Sequence, residues 1–132
     1  MRAVPILLAG MAVASCATNP PVPRADRDAA QLQQAIAGRV PGRSANCLPS
    51  YRADNMTVLD NGTLLFRDGS TTWVSRLSEG CARAGLSNYA LVTKTYGGTG
   101  LCSGDIVQLV DTASGTFAGA CTVAPFMAYR RP

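Results

Sequence analysis

Histidine is absent from all 132 residues, and lysine occurs once, as Lys94. Without an imidazole there is no Ser–His or Cys–His nucleophilic pair and no histidine-ligated metal. Nor is there a side chain whose ordinary pKa falls near neutrality. A serine–lysine dyad would have to use Lys94, which has no serine three residues away and sits in a strand-like pattern, as a solvated strand lysine does. No two cysteines stand at the CxxC spacing of a zinc or redox site. The acidic residues lack the dense alternation of a calcium loop, and the basic ones form no stripe suited to nucleic acid. The glycine-rich run 96–100 lacks the strand–GxxxxGK–helix setting of a phosphate cradle. No cofactor and no metal are therefore expected, and nucleic acid is not an expected partner. Long apolar runs are also missing. The longest, residues 3–14, falls short of the ~20 residues that a membrane-spanning helix requires.

That short run has its own meaning. It follows a single charge, Arg2, and ends in small residues, which is the layout of a signal peptide. Its end leads into Val13-Ala14-Ser15-Cys16. The motif resembles the lipobox of bacterial lipoprotein precursors, an aliphatic residue and two small ones ahead of cysteine. The resemblance implies cleavage before Cys16, lipid on its thiol and an acylated new amino terminus. Several acyl chains anchor stably where one binds only marginally. Ala17 in place of Asp after the cysteine implies, by the same resemblance, the outer membrane, facing the periplasm. The membrane is thus one expected partner, through the N-terminal lipid.

Four cysteines remain: Cys47, Cys81, Cys102 and Cys121. An even number in a small exported domain points to two disulfides. Three pairings are open on sequence grounds. The preferred one joins Cys47 to Cys121 across the domain ends, with Cys81–Cys102 closing an inner loop. Either bridge would contribute roughly 3–4.5 kcal/mol in the chain-entropy model. That is substantial for a domain that buries only about 60% of its unfolded surface.

The parts follow in order. Residues 1–15 are the signal and 16–25 a lipidated tether, extended by Pro20, Pro21 and Pro23. Residues 26–44 hold a short amphipathic helix and a linker. Ala29, Leu32 and Ile36 mark the helix, with Asp26 as its expected N-cap and Gly38 as its stop. Arg24, Arg27, Arg39 and Arg43 place most of the excess positive charge before Cys47. Residues 45–132 form the disulfide-stapled β domain. Its six strand-like runs are 56–59, 63–66, 71–77, 88–94, 106–110 and 116–123. Asp60-Asn61-Gly62 gives a hairpin signal between the first two, and Arg67-Asp68-Gly69-Ser70 separates the second from the third. The expected fold is mainly β: a small antiparallel meander or barrel of about six short strands with one N-terminal helix and two disulfides.

Asn46-Cys47-Leu48-Pro49 and the run from Val58 to Phe66 carry a further likeness. Leu77 with Gly80-Cys81, Leu101-Cys102-Ser103-Gly104-Asp105-Ile106, and Gly119-Ala120-Cys121 ahead of Phe126 extend it. Together these resemble a family of small, uncharacterised proteobacterial exported proteins with four cysteines, over residues 38–126. Ala82-Arg83-Ala84 departs from that pattern, where a tighter Pro-Gly-Leu turn would fit. The resemblance implies disulfides and domain limits, and no activity.

Asp105 is the acidic residue most worth placing. It could bind a cation or act in proton transfer, while an aspartate in such a setting commonly accepts backbone N–H bonds in a turn. Asp60, Asp68 and Asp111 fall at turns as well. Trp73 and Tyr96 are candidates for core or for a modest binding face, and Arg130-Arg131 for a solvated tail. The functional expectation is a non-enzymatic, lipid-anchored envelope protein that binds another envelope component, a protein partner among them. A periplasmic inhibitor or ligand-capture module is the alternative.

Overall fold

A computed structural model of the protein describes residues 21–48, 55–59, 62–94 and 100–132. One helix, α1 (Arg24–Ile36), precedes ten strands. These are β1 (Val40–Ala45), β2 (Cys47–Leu48), β3 (Met56–Val58), β4 (Thr63–Asp68), β5 (Thr71–Arg76), β6 (Tyr89–Thr93), β7 (Leu101–Cys102), β8 (Ile106–Asp111), β9 (Phe117–Thr122) and β10 (Phe126–Arg130). The protein is mainly β, with two disulfides, and among the described residues every strand pair is antiparallel. A five-stranded sheet runs β1-β10-β5-β4-β3, a three-stranded sheet runs β6-β8-β9, and β2 pairs with β7 alone.

The six strands expected from sequence are β3, β4, β5, β6, β8 and β9. Turn chemistry sets their register. Gly62, at φ +78°, closes the β3–β4 hairpin, with Leu59 N–H donating to the Thr63 carbonyl. Asp60 and Asn61 lie outside the described residues. Gly69 and Ser70 alone separate Asp68 from its partner Thr71, and Gly69 takes the positive φ that such a tight loop needs.

The other four strands go beyond the sequence expectation. β1 occupies the stretch assigned to the linker. It carries Pro41 and lies exposed at the sheet edge, where a missing N–H is tolerated. β10 takes in Arg130, read from sequence as part of a solvated tail with Arg131, although its side chain is still exposed. Arg130 is opposite Val40 on one side and Thr71 on the other, and only Arg131 and Pro132 lie beyond the strand.

The main core lies between the two larger sheets. Leu64, Phe66, Trp73, Phe126 and Ala128 come from one, and Val107, Leu109 and Cys121 from the other. Phe66 and Phe126 meet edge to face, with ring centroids 5.5 Å apart. The sheets join at a corner where the chain beyond β5 meets the chain between β9 and β10. Leu77 bridges to Val123, Ser78 N–H donates to the Thr122 carbonyl, and Ala124 N–H donates to the Arg76 carbonyl. Strands that pass from one sheet to the next make such corners.

α1 covers the opposite face of the larger sheet. Ala35 and Leu32 pack on Leu59, Leu65 and Val74. Three turns of helix are not stable alone in water, so this contact supports the element. The helix begins at Arg24, ahead of the expected cap: Asp26 lies in its first turn and Pro23 holds the N-cap position. Gly38 stops it as expected, at φ +66°. The Arg39 guanidinium then donates to the Ser70 carbonyl and pins the exit to the β4–β5 turn.

Candidate binding surface

The cysteines pair as Cys47–Cys102 and Cys81–Cys121. This corrects the preferred pairing of Cys47 with Cys121 and Cys81 with Cys102. Tying the domain ends together assumed that the strand bearing Cys121 returns to the start of the domain. It is β10 that does so, beside β1. Cys47 instead lies directly opposite Cys102 in the β2–β7 pair, with α-carbons 3.9 Å apart. Cys121 points inward from β9 toward Cys81, in the short 3-10 turn Glu79–Cys81 that follows β5. Cys81 is fully buried and Cys121 nearly so. Backbones approach closely beside this bridge. A Cβ on Gly80 would overlap the Ala120 carbonyl, and one on Gly119 would overlap the Gly80 carbonyl. Only glycine fits either position.

Asp105 belongs to the tight turn between β7 and β8. Its carboxylate accepts the Cys102 N–H at 2.7 Å, while its own N–H donates to the Cys102 carbonyl at 3.1 Å. It also borders an open recess of about 330 Å³ with Lys94, Gly104, Ile106 and Gln108. Asp111 organises the β8–β9 turn. Its carboxylate accepts the N–H groups of Ala113 and Ser114, and these bonds hold its pKa below the usual carboxylate range. Trp73 lies in the core, opposite Phe66 and Ala128. Arg83 sits over the Tyr89 ring, 5.1 Å from its centroid. Cys16 and Tyr96 lie outside the described residues. Among the described residues, no three His, Cys, Asp or Glu side chains gather as metal ligands would, and no helix is long and apolar enough to cross a membrane.

A larger feature is the outer face of the three-stranded sheet. In β8, Val107 and Leu109 turn into the core, so Ile106, Gln108 and Val110 turn out. Register places Val92 beside Gln108, Phe117 beside Val110 and Thr122 beside Ile106 on that same face. Ile106 is 62% exposed, Phe117 65% and Val92 40%. An antiparallel sheet with one wet face ordinarily alternates apolar-in with polar-out. Here Val92, Ile106, Val110 and Phe117 share the outer face with Gln108 and Thr122, and no register position on it carries a charge. The strands were legible in the sequence, and this face was not. The signal was in Ile106-Val107-Gln108-Leu109-Val110, whose near-continuous apolar run is typical of a strand buried on both sides. Exposed apolar patches of this kind mark interaction surfaces.

Compared with protein-family models, curated proteins and solved structures, the chain matches none.

Proposed function

We propose that the protein is a lipid-anchored component of the bacterial cell envelope that acts by binding another envelope component and not by catalysis. The observation that carries the binding role is the bare apolar face built on Val92, Ile106 and Phe117. Two disulfides support an oxidising compartment, since cytosolic thiols are kept reduced. Val13-Ala14-Ser15-Cys16 supports the lipid anchor, and Ala17 the outer membrane. The likeness to small exported four-cysteine proteins supports the same setting and adds no activity.

Intact mass after extraction from bacterial membranes tests the anchor. The expected species runs from Cys16 to Pro132 with lipid attached, and it yields four thiols only after reduction. A lipid-free mass would discard the anchor. Crosslinking in cells from position 117 tests the binding role. Adducts to a lipid or to one recurrent envelope protein are expected, and no adduct under several growth conditions would overturn it.

Ligand capture is a second reading, with one observation in its favour. The recess bounded by Lys94 and Asp105, at about 330 Å³, has the size of a small-molecule pocket. Protection of Lys94 from amine-reactive labelling by envelope extracts would support this reading, and unchanged labelling would remove it.

A further inference from the structure

We infer that the outer face of the three-stranded sheet rests on the phospholipid surface that holds the anchor, with Phe117 seated among the lipids. This deepens the proposed function and rests on its lipid anchor.

The tether meets the fold at α1. Arg24, Arg27 and Asp28, in the first turns of α1, share a recess with Gly85, Leu86, Ser87 and Asn88, the segment that leads into β6. The Asn88 carbonyl accepts the N–H of Thr112 at 2.9 Å, in the β8–β9 turn. Asp111 N–H donates to the Thr116 carbonyl at 2.9 Å, and the next residue is Phe117. The tether exit, the start of β6 and Phe117 therefore share one end of the molecule.

Arg24 lies eight positions after Cys16, a span of about 26–29 Å when fully extended. A domain of this size is on the order of 30 Å across. That leash is no longer than the domain itself, so the end bearing Phe117 stays within about 26–29 Å of the lipid surface, and weak intrinsic affinity suffices because the encounter is intramolecular. The face is matched to that surface. Its outward positions carry no charge, and Phe117, Val110, Val92 and Ile106 spread apolar side chains along it. Lys94 and Asp105 border the recess beside Ile106 at the far end, so that end carries one charge of each sign. Asp26, Asp28 and Asp111 offset Arg24, Arg27 and Arg83 at the near end, so the apolar face and not net charge makes the contact.

The test uses the mature lipidated protein in vesicles of phosphatidylethanolamine and phosphatidylglycerol with brominated acyl chains, which quench indoles that enter the bilayer. Two variants carry a new indole at exposed valine or phenylalanine positions: Phe117→Trp on the three-stranded sheet and Val40→Trp on the edge of the other sheet. Native Trp73 is buried and serves as the internal reference. The expected result is loss of emission from the Phe117→Trp indole alone. Flotation of the protein with the vesicles but no quenching would overturn this contact and leave the anchor standing. Equal quenching in the two variants would show that this face is not the one turned to the lipid, and would overturn it as well. Failure to float would overturn the anchor and the contact together.

Discussion

The five-stranded sheet has its outer face covered by α1, at Leu65 and Val74, while the three-stranded sheet presents Val92, Ile106 and Phe117 outward. Both sheets turn their other faces into the same core. The pattern of residues is alike, and the finish differs. In one sheet the outward apolar residues are internal structure, because the chain supplies its own cover. In the other they contribute little to folding, which leaves them free to meet a surface that the chain does not provide.

The largest expected effect concerns the join between the sheets. Replacing Cys81 and Cys121 with alanine should cost about 2–5 kcal/mol in urea unfolding. Replacing Cys47 and Cys102 should cost less, although that bridge spans 55 residues against 40. The reason is burial: Cys81 and Cys121 lie in the core, whereas Cys47 is exposed. Equal losses would show that loop entropy alone governs the two bridges.

Next in size is a direct test of the contrast. Leu65→Ala removes the support for α1 and should cost about 2–5 kcal/mol, with loss of helical circular dichroism. Ile106→Ala, equally outward in its own sheet, should stay within about 0.5 kcal/mol. A comparable loss in both would mean that the two faces are equally covered. Gly119→Ala comes third. Its new methyl group would meet the Gly80 carbonyl, so the backbone at the join must shift, at about 1–3 kcal/mol. An unchanged melting temperature would refute that close approach.

The smallest effect is at Asp111, in the turn that carries Phe117. Its carboxyl pKa is lowered, first by the N–H groups of Ser114 and Ala113. A group depressed in the folded state adds stability above the ordinary carboxylate range and loses it as pH falls through its folded value. Asp111→Asn should therefore flatten a small part of the acid limb of the melting-temperature profile. A parallel profile would show that this turn does not sense pH.

Strands with strong local signals were legible in the sequence. β3 to β5 announce themselves by β-branched and aromatic runs set between Asn-Gly and Asp-Gly turns. α1 was legible from Ala29, Leu32 and Ile36, but its start was not, because Pro23 takes the cap position in place of Asp26. β1 was hidden by Pro41 and Gly42, which resemble a linker unless a partner strand is known. That partner is β10, at the other end of the chain, so no local pattern could reveal either. The disulfide pairing failed for the same reason, since Cys47 meets Cys102 only once β2 and β7 are aligned. The binding surface was half legible: the apolar run in β8 was visible, and its unshared outer side was not.

The two bridges interleave along the chain, and this bears on how the molecule is made. Cysteines arrive in the order 47, 81, 102, 121, and each native bond skips one intervening cysteine. An oxidant acting on a chain that emerges N-terminus first would find Cys47 and Cys81 together before either true partner has appeared. Oxidation in order of arrival therefore makes the wrong bond, which must be reshuffled by thiol–disulfide exchange. β10 imposes the same wait on the sheet, because this strand, made long after its two neighbours, lies between β1 and β5. In an oxidising compartment, correct pairing would call for a disulfide isomerase or for oxidation withheld until Cys121 has emerged.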